Sequence, residues 1–143
     1  VDTTLQAAVP FYGVYDFLDR SEIRPEMSMQ QLLADRVMQC TLQDNRPLWE
    51  AASPLDHISA AAPPMFVIQG THDSLVWVEE AQTFVSALQA AVTDPVAYAE
   101  LPGAQHALEI FHSVLPDHCV NAGGHFLEWS HAQWLRRRSA AGA

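Results

Sequence analysis

Two residues of this chain, Asp73 and His106, have the types and the setting of an acid–base pair. Asp73 follows the apolar run Met65–Ile68, and His106 follows the segment Val96–Leu101. A carboxylate that orients an imidazole, and an imidazole that transfers a proton, are two members of a hydrolytic Ser-His-Asp triad. The pattern therefore indicates proton-transfer chemistry in which Asp73 fixes the tautomer of His106.

The segments that precede these two residues have the character of parallel β-strands. The apolar run Met65–Ile68 is bounded by Pro63-Pro64 and Gly70, which is typical of a strand buried on both faces. Between the two segments, the apolar residues of Val78–Leu88 recur at helical spacing. A right-handed strand–helix–strand crossover places both loops at one sheet edge, where open α/β sheets carry their chemistry.

Asp73 also has a purely structural explanation. Aspartate is a favoured N-cap residue, and its own stretch of sequence, taken alone, favours capping of the helix that follows. The histidine loop after the second strand shifts the preference to the acid–base role. His72 leaves the same strand as Asp73 and so lacks the geometry to receive its carboxylate, whereas His106 comes from a separate loop.

These motifs resemble the C-terminal half of an α/β-hydrolase. The residues that carry the resemblance are P-P-M-F-V-I-Q-G-T-H-D-S-L-V (63–76) and Y-A-E-L-P-G-A-Q-H-A-L-E-I-F (98–111). Upstream, A-A-V-P-F-Y-G-V-Y-D-F (7–17) and A-S-P-L-D-H-I (52–58) fit the same pattern. The chain is most similar to the serine carboxylesterases and lipases of the hormone-sensitive-lipase type found in actinobacteria.

The resemblance implies an α/β fold, the C-terminal part of an α/β-hydrolase. We expect a mostly parallel three-stranded sheet with flanking helices, the first strand lying within Leu5–Val14. Residues 1–143 would form a single partial domain. Within it, residues 18–55 are expected to form a helical, lid-like insertion. A final helix is predicted from about Asn121 to Arg138, followed by a frayed tail at 139–143.

The family's nucleophile is a serine within G-x-S-x-G, on a turn between a strand and a helix. Nine serines occur in the chain, and none has glycine two residues away on both sides: Ser21, Ser28, Ser53, Ser59, Ser74, Ser86, Ser113, Ser130 and Ser139. Neither Cys40 nor Cys119 has such a context, and no H-G-G-G-type segment is present. We expect a fragment of a larger esterase rather than a truncated product. By this resemblance, it supplies the triad aspartate and histidine while the serine and the oxyanion hole lie elsewhere.

The resemblance also implies where an ester substrate would bind. Aromatic residues after the first strand, and a helix in the lid-like insertion, would shape its acyl pocket through Phe11, Tyr12, Tyr15, Met29 and Leu33. For each aromatic residue, packing in the core is the alternative that we favour. A helix with an apolar stripe that includes Met29 and Leu33 is also most often core, although methionine suits an adaptable cover over an apolar ligand.

Composition excludes several classes of function. The chain has 143 residues, a net charge of −10 and no lysine, which argues against a nucleic-acid partner. Two cysteines and scattered histidines do not provide the four spaced ligands of structural zinc, so we expect no metal and no cofactor. No apolar stretch reaches the ~20 residues of a membrane span. No signal peptide is present, but because the natural N-terminus is expected to lie outside this chain, that absence says nothing about export of the parent. The location is therefore unknown, with the cytoplasm as the default expectation.

Two other functions remain open. The chain could be a non-catalytic interaction module derived from an α/β-hydrolase, because an exposed apolar strand edge at Leu5–Val14 invites pairing with another chain. Association, as a homo-oligomer or with a missing N-terminal half, is expected in this case. A peptidase or acyltransferase on the same fold is the other alternative, since fold does not fix chemistry.

Overall fold

The structure is a computed structural model that describes residues 4–24, 29–110 and 114–142. Its elements follow the order α1 (Met29–Leu32), α2 (Arg46–Ala52), β1 (Met65–Gly70), α3 (Val78–Ala91), β2 (Val96–Leu101) and α4 (Val114–Ala141). Shorter turns of π-helix and 3-10 helix occur at Leu33–Met38, Pro54–His57 and Leu108–Ile110.

β1 and β2 form a parallel sheet with α3 as the crossover between them. Met65 lies opposite Val96, and Gly70 lies opposite Leu101, so both strands end at the same edge. This arrangement confirms the strand–helix–strand unit predicted from the apolar runs and their Pro and Gly boundaries. The loops that carry Asp73 and His106 therefore leave the sheet side by side.

The segment predicted to be a third strand, within Leu5–Val14, lies alongside β1 but does not form a regular strand. Among the described residues, it makes two isolated parallel bridges, from Ala8 to Met65 and from Phe11 to Ile68. Backbone hydrogen bonds join Ala8 N to the Pro64 oxygen at 3.0 Å and Tyr12 N to the Ile68 oxygen at 2.9 Å. Alternate residues donate in a parallel ladder, so the missing donor is residue 10. That residue is a proline, which has no N–H.

Both faces of the sheet are covered, as expected for a buried parallel strand. Val67 packs against the buried face of α3, which consists of Ala81, Phe84, Val85 and Leu88. Ile68, on the opposite face, packs with Leu101 and with Cys119 of α4. Val67 and Ile68 are both fully buried, which accounts for the unbroken apolar run that marks β1 in the sequence.

The helical segment before β1 packs on the loop that follows β1. Met29, Leu33 and Trp49 form a buried cluster with Leu18 and with Val76. Trp49 is fully buried and anchors α2. The N-cap of α2 is Asn45, whose side chain accepts a hydrogen bond from the backbone. Serine is a favoured N-cap residue, and Ser28, which directly precedes α1 and could cap it, lies outside the described residues.

A buried ion pair joins the loop after residue 14 to the first turn of α3. Arg24 Nη2 lies 2.8 Å from Glu80 Oε2, and the two side chains are 2% and 4% exposed. The other oxygen of Glu80 accepts hydrogen bonds from the backbone N–H groups of Tyr15 and Asp16. The carboxylate is thus fully partnered, as a buried charge must be.

α4 is longer at both ends than predicted. It begins at Val114, seven residues before the expected start, and includes Pro116 in its first turn. Proline is compatible with that turn because the first N–H groups of a helix have no intrahelical partner. The predicted frayed tail at 139–143 is wrong through Ala141, which is still helical. Among the described residues, no helix is long and apolar enough to cross a membrane.

Candidate active site

Asp73 lies in the loop between β1 and α3, where a tight turn holds one of its carboxylate oxygens. Oδ1 accepts hydrogen bonds from the backbone N–H groups of Leu75 at 2.9 Å and Val76 at 2.8 Å. This turn ends before the helix starts. α3 begins at Val78, its N-cap is Trp77, and no side chain caps it. The alternative that Asp73 caps the following helix is therefore wrong.

The second oxygen of Asp73 faces the loop that follows β2. Oδ2 lies 2.9 Å from His106 Nδ1 and 3.1 Å from Gln69 Nε2. The Asp73 side chain is fully buried, while the His106 side chain is 29% exposed. The structure thus brings together the two residues that the sequence singled out. Because Nδ1 is bound to Asp73, Nε2 is the imidazole nitrogen left to exchange a proton.

Direct contacts between the two loops fix this pairing. The N–H of His72 donates to the Ala104 oxygen at 3.0 Å, and the N–H of Gly103 donates to Thr71 Oγ1 at 2.9 Å. Gly70 permits the approach, because a Cβ at this position would lie 2.8 Å from the Ala104 carbonyl carbon and nearer still to its oxygen. Any larger residue at position 70 must push the histidine loop away.

The imidazole of His106 packs against Tyr12, which was predicted as a pocket residue. The two ring centroids are 4.3 Å apart with a tilt of 53°. Phe11, also predicted for the pocket, meets Tyr12 edge-on at 6.2 Å. Tyr12 and Ala107 have positive φ values of 38° and 55°. Non-glycine residues seldom adopt this conformation.

The remaining predicted pocket residues, Tyr15, Met29 and Leu33, lie in two core clusters that do not include His106. Tyr15 stacks on Phe84 with centroids 4.2 Å apart and rings nearly parallel. Burial raises the pKa of the Tyr15 hydroxyl to about 12. The side chains are 3–4% exposed. The packing role that we favoured for Tyr15 thus describes all three, and their part in an acyl pocket stays a prediction.

Sequence analysis missed Gln69, which donates a hydrogen bond to the same oxygen that binds His106. A signal was available, because Gln69 is the one polar side chain in a strand that is otherwise apolar and buried on both faces. In the part of the chain that the structure describes, no group of three or more His, Cys, Asp or Glu residues could hold a metal ion.

Comparisons with known proteins give a consistent result. A family model described as BD-FAE matches residues 1–88. The probable carboxylic ester hydrolase LipM of Mycobacterium tuberculosis is 45% identical over 126 residues, which are 88% of this chain and 29% of LipM. Esterase LipQ of the same organism is 40% identical over 126 residues, which are 88% of this chain and 30% of LipQ. The chain thus spans about 30% of the length of these curated relatives.

Solved esterase structures share the fold. The apo form of Thermogutta terrifontis esterase 2 superposes with a TM-score of 0.62 at 26% identity, over 85% of this chain and 41% of that one. A truncated carbohydrate esterase from gut microbiota gives a TM-score of 0.69 at 16% identity, over 89% of this chain and 43% of the other. The second likeness concerns the fold alone. Both place the sheet and helices described above within an α/β-hydrolase-like architecture.

Proposed function

The chain belongs to the BD-FAE family, and we propose that it supplies the acid and the base of a serine carboxylic ester hydrolase. His106 is the general base and Asp73 the carboxylate that orients it. The observation that carries the proposal is the 2.9 Å contact between His106 Nδ1 and a fully buried Asp73, with the imidazole itself partly exposed. The nucleophilic serine and the oxyanion-binding N–H groups belong to a part of the protein outside these 143 residues.

In this proposal, His106 relays one proton in each of two half-reactions. Nε2 accepts the proton of the serine as the serine oxygen bonds to the ester carbonyl carbon, and Asp73 stabilises the resulting imidazolium. His106 then donates that proton to the leaving alcohol as the ester C–O bond breaks. Water repeats the sequence on the acyl-enzyme: His106 takes its proton, and the serine recovers it as the acid leaves. Backbone N–H groups of the rest of the protein stabilise each oxyanion.

Histidine orientation is the contribution that this chain makes to the rate. With Nδ1 held by Asp73, the ring keeps Nε2 free of hydrogen and directed away from the carboxylate. Within the described ranges, the hydrogen bonds of His106 include none to a serine hydroxyl or a cysteine thiol. This agrees with a base whose nucleophile comes from elsewhere in the protein.

An ester substrate would approach along the side of His106 that Tyr12 borders. We propose that the segment 18–55 forms a cover over this side. Its buried cluster includes Val76, three residues beyond Asp73, so that the cover and the acid loop share one set of contacts. Met29 and Leu33 would then support the acyl pocket from within that cluster rather than line it.

The site needs its missing half, and the chain offers a surface for it. Ala8 and Phe11 bridge to β1, and a strand edge of this kind is a template for pairing with another chain. We propose association of this edge with the N-terminal half of an esterase, or with a second copy when that half is absent.

A chimera with LipM tests the ester hydrolase directly. The 126-residue region of LipM that matches this chain is replaced by the corresponding residues of this chain, and hydrolysis of p-nitrophenyl esters is measured. We expect the chimera to be active and His106→Ala to lower kcat/KM by about 10³-fold or more. The matched control is His125→Ala, an exposed histidine of α4, which should leave kcat/KM unchanged.

Two results would reject the proposal. One is a chimera that folds and hydrolyses esters equally well with and without His106. The other is a 143-residue chain that hydrolyses the ester by itself in a His106-dependent manner, because the chain would then contain a nucleophile of its own.

A further inference from the structure

We infer that Gln69 is a positioning residue for the Asp73–His106 pair, an inference that rests on the proposed function. Gln69 lies in β1, and its side chain is fully buried. Its amide nitrogen Nε2 lies 3.1 Å from Asp73 Oδ2 and 2.8 Å from the backbone oxygen of Val76. One amide therefore joins the acid to the turn that holds it.

The chemistry of the two partners fixes the orientation of this amide. A carboxylate oxygen and a backbone carbonyl oxygen are both acceptors, so only the NH₂ end of Gln69 can face them. The two N–H groups are thereby both used. The other end of the amide, Oε1, is buried and has no hydrogen-bond partner in the described part of the chain.

Gln69 completes the set of donors around a carboxylate that water does not reach. The backbone N–H groups of Leu75 and Val76 hold Oδ1, while Gln69 and His106 share Oδ2. Without Gln69, the plane of the carboxylate would be fixed at Oδ1 alone. Its direction toward His106 would then depend on the histidine loop. Among the described residues, Tyr12 is a titratable group that contacts the pair, since it lies against the imidazole.

The unpartnered Oε1 supports a positioning role over a packing role. A buried carbonyl without a hydrogen bond is unfavourable, and an apolar side chain of similar shape would fill the same space without it. Unsatisfied buried polar groups of this kind are rare and call for a specific explanation. Contact of Nε2 with the acid of the proposed triad provides one.

The experiment uses the 143-residue chain and reads the Asp73–His106 hydrogen bond by NMR, so it requires no catalytic activity. The proton on His106 Nδ1 is assigned by its loss in His106→Ala, and its exchange with solvent is measured. Gln69→Met keeps the shape and removes both donors. We expect that proton to exchange about tenfold faster, the factor for loss of one hydrogen bond to a charged group.

Gln69→Glu supplies a pH-dependent counterpart with the same shape. At acidic pH, the introduced carboxyl is protonated and can donate to Asp73 Oδ2, so that the Nδ1 proton should be protected as in the parent chain. As the pH rises and this carboxyl ionises, two carboxylates face each other, and protection should disappear. The transition is read as the difference in exchange between this variant and the parent chain at the same pH. A residue with only a packing role would not produce one.

The matched controls are Gln82→Met and Gln82→Glu, because Gln82 donates to Glu100 at 2.8 Å on the exposed face of α3. These should leave the His106 proton unaffected. Exchange that is unchanged in both Gln69 variants, or changed equally in the Gln82 controls, overturns the inference. So does failure of both Gln69 variants to fold at acidic pH, since that result makes Gln69 a packing residue. A chimera with LipM that hydrolyses esters equally well without His106 would reject the esterase and leave this measurement standing.

Discussion

Replacement of Asp73 by asparagine should reverse the tautomer of His106 while the fold is retained. The side-chain oxygen of asparagine would stay with the backbone N–H groups of Leu75 and Val76, which need an acceptor. The NH₂ group would then take the place of Oδ2 and point at His106 Nδ1 and Gln69 Nε2. His106 could accept that hydrogen bond only at Nδ1, with its proton moved to Nε2.

The magnitude of the effect differs between activity and stability. A histidine with its proton on Nε2 cannot act as a base toward serine, and the corresponding change in serine proteases lowers kcat by about 10⁴-fold. This corresponds to about 5 kcal/mol of transition-state stabilisation. The free energy of unfolding should fall less, by about 1–3 kcal/mol, because the NH₂ groups of two side chains now face each other without an acceptor.

Nitrogen NMR of the imidazole in the 143-residue chain reports the tautomer, and thermal unfolding reports the stability. The matched control is Asp94→Asn, which removes the charge from a surface pair with Arg137 and should cost about 1 kcal/mol or less. The reasoning is refuted if Asp73→Asn leaves the proton of His106 on Nδ1. Such a result would mean that Asp73 does not determine which nitrogen is protonated.

Four further predictions concern the structure around the site. Gly70→Ala should separate the two loops and destabilise the fold by about 1–3 kcal/mol; an unchanged His106 Nδ1 proton in NMR would contradict this. Glu80→Gln should lower the free energy of unfolding by about 3–5 kcal/mol because it leaves Arg24 buried without a counter-charge. The equivalent change at exposed Glu50 should have an effect below about 1 kcal/mol in the same denaturation assay. The raised pKa of Tyr15, about 12 when folded and ~10 when unfolded, means that the unfolded chain releases the proton first. Stability should therefore fall between these two pH values, and Tyr15→Phe should reduce the fall measured by urea unfolding. Light scattering at high micromolar concentration should show association of the chain, and a monodisperse monomer would count against the open-edge argument.

The central elements were predictable because their signals are local. Proline and glycine bound the apolar runs of β1 and β2, and the helical spacing of Val78–Leu88 identified α3 between them. The parallel topology then followed from the handedness of such crossovers, and it placed Asp73 and His106 at one edge of the sheet.

Other features depend on contacts that a sequence pattern does not contain. The apolar residues before Val14 suggest a strand, yet Pro10 removes one donor from the ladder and leaves isolated bridges. The last helix was predicted to start at about Asn121, because the place of Pro116 within the first turn of a longer helix is visible only in the structure. The contact of Tyr12 with His106 depends on a positive φ at a residue type that seldom adopts one.

The pocket residues illustrate a further limit. Helical spacing shows that Met29 and Leu33 share a face, but it does not show what that face covers. The structure places both in a cluster with Trp49. Gln69 was overlooked because one polar residue at the end of an apolar strand does not change the hydrophobic pattern of that strand.

The most direct test of the central claim is a pre-steady-state measurement on the chimera with LipM. Hydrolysis through an acyl-serine releases the first equivalent of p-nitrophenol in a burst. We predict a burst from the chimera and its loss in His106→Ala, because the serine can attack only after His106 has taken its proton. A burst of equal rate and amplitude without His106 would contradict the assignment of this histidine as the base.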